Sequence, residues 1–195
     1  MEFINGIEVV RIGNQIWQKE NLKVDRYRNG DSILQIIDDE EWEQRKSDGI
    51  PAFCYYNNDP LNSMIFGNVY NWWAVNDTRG LAPDGFRIPS DKDWIELVEY
   101  LGGFALAQSK LKNTSGWKRE CNGNNESGFS AVPNPKRYFE GRFDSFENDN
   151  SYWWSSTESN LYMSSYWNIY FLEWEVIQNT DYKDAGMCVR CILDN

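Results

Sequence analysis

The sequence predicts an α+β fold: a single domain over residues 1–195, with one or two helices, a mixed, mostly antiparallel sheet and long irregular loops. Short strand-like runs lie near both ends of the chain, and one strongly amphipathic helical stretch lies near its middle. Turn residues with little periodicity fill most of the rest. Strands that are separated from helices along the chain are typical of α+β domains.

The N-terminal region predicts a hairpin. Residues 7–12 and 15–17 are β-like runs, and the Gly-Asn pair at 13–14 suits a tight turn between them. The Asn-Gly pair at 29–30 predicts another turn, and the charged stretch 38–48 predicts a short surface helix.

Two apolar stretches follow, with different expected roles. Residues 51–56 form an apolar run that stops at a loop signal, Asn-Asn-Asp-Pro at 57–60. Residues 66–75 are densely aromatic, so we expect them to pack in the centre of the domain.

The clearest helix follows Ser90. Ser90 and Asp93 have the spacing of a capping box, in which each side chain satisfies the other residue's backbone amide. The Gly pair at 102–103 predicts the end of this helix, and residues 104–111 predict a second one. Four apolar side chains form one stripe that should face the core: Trp94, Leu97, Val98 and Leu101.

Strands dominate the C-terminal part of the sequence. Residues 128–133 resemble a short buried strand, and residues 134–150 are loop-like. Four further strands are predicted at 153–156, 167–171, 173–177 and 187–192.

Charge and hydropathy exclude several partners. The formal net charge is -11, so phosphate backbones and anionic membranes should be repelled, and we expect no nucleic-acid partner. No apolar run approaches the ~20 residues of a membrane span, so we expect no membrane insertion. The first residues lack the basic and apolar regions of a signal peptide, and none is expected in this chain.

The absence of histidine excludes the commonest general base and metal ligand. Cys188 and Cys191 have the spacing of half a zinc site, but Cys54 and Cys121 stand alone, so no metal and no cofactor is predicted. Two long-range disulfides or buried thiols remain open. Disulfides are favoured, and they would imply an oxidising compartment.

Seven stretches, in order along nearly the whole chain, resemble one family. They are 12–17 with 20–22, 54–59, 67–75, 80–90 through Trp94, 125–131, 153–158 and 189–191. The family is the Fibrobacter succinogenes major paralogous domain, whose fold is related to C-type lectins and formylglycine-generating enzymes. The resemblance therefore implies a single C-type lectin-like domain whose N- and C-terminal strands pair near each other.

The resemblance also implies covalent and cellular features. It suggests a bridge between Cys54 and Cys191, which leaves Cys121 and Cys188 as a second pair. Members are often secreted or surface-anchored proteins of Bacteroidetes-like bacteria, or parts of phage-like elements. We therefore expect an extracellular, cell-surface or phage-surface location.

Residues 159–186 are the predicted ligand-binding surface of a non-enzymatic recognition module. Their mixture of Tyr, Asn, Ser and Trp is typical of a paratope, and a protein or a glycan is the expected ligand. If Trp167, Ile169 and Phe171 face inward, the alternate residues of that strand face outward. The predicted site residues are Asn168, Tyr170, Leu172, Trp174, Gln178, Thr180, Tyr182 and Asp184. The alternative is an ordinary solvated hairpin.

Related lectin-like folds include the variable proteins of diversity-generating retroelements, whose mutable positions lie in the last strands and loops. Adenine mutagenesis of AAC-type codons yields Tyr, Asn, Leu, Thr and Asp, but not Trp, Glu or Gln. Trp174, Glu175 and Gln178 would therefore have to be fixed positions. Six positions fit such diversification: Asn168, Tyr170, Leu172, Thr180, Tyr182 and Asp184.

Two other functions compete with this interpretation. A sugar could stack on Trp153 or Trp154, but these match the family's core motif, so we expect at least one to be buried framework. Residues 85–90 with Trp94 are similar to a stretch of formylglycine-generating enzymes, which are oxidoreductases, but their catalytic cysteines have no clear counterpart.

Arg190 is expected to be a buried or half-buried partner of a carboxylate.

Overall fold

The structure is a computed structural model that describes residues 1–44, 48–118, 121–144, 150–170 and 175–194. Within these ranges the chain forms five α-helices and twelve strands in three sheets. The predicted α+β class is confirmed, and all but one of the strand pairs are antiparallel.

The first sheet joins the two ends of the chain. Its strands, in spatial order, are β1 (Glu2–Ile4), β2 (Ile7–Ile12), β3 (Gln15–Gln18), β12 (Ile192–Leu193) and β7 (Phe86–Arg87). The predicted hairpin is β2–β3, and Gly13 occupies its turn with a positive φ of 60°. Ile192 lies opposite Trp17, so the N- and C-terminal strands pair as the resemblance implied.

The second sheet is the three-stranded C-terminal meander. It consists of β8 (Asn150–Glu158), β9 (Met163–Tyr170) and β10 (Val176–Tyr182), and β9 is the central strand. The last strand starts later than predicted and continues to Tyr182, because it pairs along the whole of β9. Residues 171–174 of the two predicted strands lie outside the described residues.

The third sheet supplies the single parallel pair. Its strands are β4 (Leu34–Gln35), β5 (Ala52–Cys54), β6 (Val69–Asn71) and β11 (Gly186–Met187), with β4 parallel to β5. The predicted continuous strand 187–192 is divided, because the chain crosses here from the third sheet to the first. On this crossing the carbonyls of Val189 and Cys191 accept hydrogen bonds from Leu22 and Gln18.

Three of the five helices were predicted. Two of these are α4 (Asp91–Tyr100) and α5 (Phe104–Leu111). A third, α1 (Asp39–Gln44), lies within the predicted surface helix 38–48. The others are α2 (Leu61–Phe66) and α3 (Trp72–Val75), and a 3-10 helix covers Tyr56–Asn58. Helices this short show too few turns for a periodic pattern to predict them.

The helix α4 begins with the predicted capping box. The backbone N–H of Ser90 donates to Oδ2 of Asp93 at 2.7 Å, and Arg87 donates to both oxygens of the same carboxylate, each at 2.7 Å. The apolar stripe of α4 is buried against the first and second sheets, where Trp94 stacks on Trp167 with ring centroids 5.9 Å apart. The end of β7 and the start of α4 are therefore fixed together.

Tryptophans fill much of the core. Trp153 and Trp154 are both fully buried, as expected for framework residues. The predicted strand at 128–133 is wrong: only Ala131 makes a β-bridge, to Lys112. Gly128 and Ser130 have φ angles of 72° and 58°, which interrupt an extended backbone.

The predicted disulfides are absent. All four cysteines lie within the described residues, and none forms a disulfide. Cys54, Cys191 and Cys188 belong to three different apolar clusters, and the Cys188 thiol donates to the carbonyl of Phe66 at 3.3 Å. Cys121 is only half-buried, whereas Cys188 is fully buried. Cys54 and Cys191 pack in different apolar clusters, and Cys121 and Cys188 differ in burial, and neither expected pair is bridged.

In the described ranges, no helix has the length and apolar character needed to span a lipid bilayer.

Candidate functional site

The outward face predicted for β9 is largely covered. Trp167 and Ile169 are buried as predicted, but Asn168 is also 0% exposed, so its predicted outward position is wrong. The loop before β8 covers this face: Nζ of Lys136 lies over the rings of Tyr152, the residue opposite Asn168, and of Tyr166. A central strand with both faces covered does not display its alternate residues.

Tyr170 and Gln178 lie on opposite faces of the C-terminal sheet. Tyr170 is half-buried, and its ring packs edge-on against Tyr152 at 6.1 Å. Gln178 is exposed, but it lies beside α4 and donates through Nε2 to Asp91 at 2.7 Å. Thr180 shares the face of Gln178, because residues two apart on a strand point the same way. These residues therefore do not form one surface with Tyr170.

The last two predicted residues lie at the far end of β10. Tyr182 is 46% exposed, and its ring contacts Phe139 at 4.7 Å. Asp184 is half-buried and accepts the indole N–H of Trp73 at 2.8 Å. Leu172 and Trp174 lie outside the described residues.

The structure adds two exposed residues at the turn between β8 and β9. Leu161 and Tyr162 are 69% and 64% exposed. The side chain of Asn160 accepts the backbone N–H groups of Tyr162 and Met163, at 2.9 and 3.0 Å, and holds the turn in shape. This Asn, followed by two large side chains, was the signal that could have identified the turn as a display position. We call Leu161, Tyr162 and Tyr182 the turn patch.

Lys183 ties the turn patch to the core. Its backbone N–H donates to the carbonyl of Tyr162, and its Nζ donates to the carbonyl of Leu161, both at 3.0 Å. The ammonium group also contacts the carboxylate of Glu158 and lies 4.8 and 5.0 Å from the ring centroids of Trp72 and Trp73. Because Lys183 is almost fully buried, the turn rests on a fixed base.

A second cation is enclosed on the covered face of the meander. Lys136 forms an ion pair with Asp181, and its Nζ lies 5.1 Å from the ring centroid of Tyr166 and 5.6 Å from that of Tyr152. Burial raises the pKa of both tyrosines, so they remain neutral phenols. Lys136 is thus satisfied within the fold, and this cluster acts as framework.

The thiols are poorly suited to nucleophilic chemistry. Burial raises the pKa of Cys188 and Cys191, and it raises the pKa of Cys54 to about 11. A thiol reacts through its thiolate, which a raised pKa makes rare at neutral pH. No group of three or more potential metal ligands occurs among the residues for which coordinates are described.

The family model of the Fibrobacter succinogenes major domain matches residues 10–193. The chain belongs to this family. No curated protein and no solved structure matches the chain.

Motif residues of this Fibrobacter succinogenes major domain converge on one buried amide. Oδ1 of Asn21 accepts hydrogen bonds from Nε1 of Trp153 at 2.9 Å and from Nε of Arg190 at 3.0 Å. The prediction of a carboxylate partner for Arg190 is wrong as far as the described residues go: no ion pair forms there, and Nη1 donates instead to the carbonyl of Phe129 at 2.5 Å. Neutral oxygens near the guanidinium thus take the place of the expected ion pair.

Proposed function

We propose that this chain is a non-enzymatic ligand-recognition module with a C-type lectin-like fold, and that it binds a protein or a glycan through the turn patch. The observation that carries this proposal is the exposure of Leu161, Tyr162 and Tyr182 above the buried Lys183. Exposed aromatic side chains contribute large contact areas at low entropic cost. A base that is already ordered lowers the entropic cost of binding further.

The family and the patch agree with a location outside the cell or on a cell or phage surface, and we propose that location. The proposal no longer rests on disulfides, because the four cysteines remain unbridged.

The experiment is a pair of arrays, one of glycans and one of extracellular proteins, probed with the wild type and two triple variants. One variant replaces the turn patch: Leu161→Ser, Tyr162→Ser and Tyr182→Ser. The control replaces an equally exposed apolar group on α2: Leu61→Ser, Met64→Ser and Ile65→Ser. Ligands that the wild type and the control bind, but the turn-patch variant does not, support the proposal. If the two variants behave alike on every ligand, the proposal fails.

A role as the variable protein of a retroelement is compatible with only part of this surface. Thr180 and Tyr182 are exposed and could vary, whereas Asn168 is buried and accepts a hydrogen bond from Asn179 at 3.1 Å. A diversified version of this module should therefore vary at 180 and 182 and keep Asn168. Sequencing the 3′ coding segment and any near-copy beside a reverse transcriptase gene tests this directly.

An oxidoreductase that resembles formylglycine-generating enzymes is the rival function. It would require reactive thiols, and the raised pKa values of the buried Cys188 and Cys191 oppose this. Oxidation of a cysteine-containing peptide by the purified protein, abolished by Cys191→Ser, would establish the rival and remove the non-enzymatic proposal.

A further inference from the structure

A cavity of about 250 Å³ lies away from the turn patch, where the chain after β3 meets residues 130–132. Arg190 lines it, together with Asn21, Asn113 and Ser130. This cavity therefore combines a guanidinium with several uncharged hydrogen-bonding groups.

The guanidinium of Arg190 is buried, and no carboxylate in the described part of the chain forms an ion pair with it. Arg190 is 1% exposed, and its Nε and Nη1 donate to the oxygens of Asn21 and Phe129. Within the described residues Nη2 makes no hydrogen bond, and Arg190 lines the cavity, so Nη2 is the guanidinium nitrogen left to donate to a ligand there. Arginine pairs with carboxylates in a planar, two-bond geometry, and one side of this fork is still open.

The other cations at the cavity are already neutralised. Lys19 pairs with Glu8 at 2.8 Å, and Lys23 pairs with Glu20 at 2.7 Å. Burial lowers the pKa of Arg190 to about 9, so it still carries its charge at neutral pH. Glu20 acts on Arg190 through space, but among the described lining residues Arg190 is the cation that has no ion pair, and it leaves one net positive charge beside the pairs of Lys19 and Lys23.

A second cavity of about 510 Å³ adjoins the first. The two share Glu8, Glu20, Asn21 and Lys23 as lining residues. The second cavity adds an apolar wall made of Phe3, Ile7, Leu22, Val24 and Pro83. Lys19 and Lys23 neutralise the two glutamates, so the positive charge of Arg190 near an apolar wall matches a ligand that has an anionic end and an apolar end.

We infer that Arg190 binds the carboxylate of a small amphipathic acid whose apolar group packs against Phe3 and Ile7. Such a ligand supplies the missing acceptor for Nη2 and covers apolar surface in the second cavity. Binding a carboxylate here is independent of the turn patch, so the two sites can be tested separately.

The test is an NMR titration of the labelled protein with 3-phenylpropionate and with its neutral, equally shaped amide, 3-phenylpropanamide. The indole N–H of Trp153, which shares the Asn21 acceptor with Arg190, reports on the site. We expect the acid to shift this signal and to bind roughly tenfold or more tightly than the amide, a gap of about 1.4 kcal/mol or more. Equal affinities would overturn the inference, as would displacement of the acid by an equal concentration of sulfate.

Three variants locate the ligand. Arg190→Gln should abolish the preference for the acid. Because this buried change could prevent folding, Phe3→Ala serves as a second test. Phe3 is 58% exposed on β1, so its replacement should not unfold the domain. It should lower the affinity for 3-phenylpropionate and leave the affinity for acetate unchanged. Arg11→Gln removes an exposed arginine from β2 and should change the affinity for neither ligand. If Phe3→Ala leaves the affinity for 3-phenylpropionate unchanged, the apolar part of the inference is wrong.

Discussion

Trp153 and Asn21 are joined by a buried hydrogen bond of 2.9 Å across 132 positions of chain. Arg190 donates to the same oxygen, so three separate family stretches meet at one side-chain amide. The amide nitrogen of Asn21 also donates to the carbonyl of Phe66 at 2.7 Å. The family motif is therefore best explained as the structural junction of the domain.

Asn21→Ala should destabilise the fold by roughly 2–4 kcal/mol, because it leaves two buried donors without their acceptor. Chemical denaturation measures the free energy of unfolding. Asn76→Ala, at an exposed position, is the matched control and should change it by less than about 0.5 kcal/mol. A loss at Asn21 no larger than the control's would show that this junction does not stabilise the domain.

The capping box of α4 should make stability depend on acid pH. Burial acts to raise the pKa of Asp93, but hydrogen bonds from Arg87 and Ser90 outweigh it and lower the pKa. The ionised carboxylate therefore stabilises the folded state above the unfolded pKa of about 3.9, and this contribution is lost as pH falls through the lower folded pKa. In thermal melts at neutral pH, Asp93→Asn should have a lower melting temperature than the wild type. This difference in melting temperature, the gap, should narrow below pH ~4. The exposed Glu96→Gln should show no such gap, and a gap for Asp93→Asn that persists in strong acid would contradict this explanation.

The native protein should contain four thiols. Its mass should be the same with and without reductant, since no disulfide joins the cysteines. A thiol reagent should modify the half-buried Cys121 first, and the buried Cys54, Cys188 and Cys191 only in denaturant. A mass gain of about two daltons per bridge on reduction would restore the disulfides that the family resemblance suggests.

Lys183→Met should loosen the turn patch without unfolding the domain. The substitution removes the bond from Nζ to the carbonyl of Leu161 and the contact with Glu158. Hydrogen exchange should accelerate at the turn amides of Ser159 and Asn160, which donate to the carbonyl of Met163. Lys92→Met, at an exposed position, is the control. Unchanged exchange at the turn would show that Lys183 does not order it.

The sequence predicted those parts of the fold whose conformation is determined by residues close together in the chain. The capping box of Ser90 and Asp93 and the turn at Gly13 depend on neighbouring residues, so the sequence identifies them directly. The predicted exposure of Asn168 was wrong because alternation identifies the exposed residues only when one face of a sheet is open. The loop that covers this face, which contains Lys136, is distant in sequence. The acceptor for Arg190 was missed for the same reason: Asn21 lies 169 positions away.

Within the candidate site, Tyr182 was predicted, but Leu161 and Tyr162 were not. The strand prediction began only at Trp167, whereas β9 begins at Met163, so the turn before it was not identified. Exposure of Leu161 and Tyr162 follows from the position of that turn.

The most direct test of the recognition proposal is the affinity of the two triple variants for a ligand identified on the arrays. We expect Leu161→Ser with Tyr162→Ser and Tyr182→Ser to weaken binding roughly a hundredfold, because exposed aromatic anchors carry most of the binding energy of such surfaces. The melting temperature of this variant should stay close to that of the wild type, and the α2 variant should bind normally. Retained affinity in the turn-patch variant, or loss of binding in the α2 variant instead, would contradict the proposal.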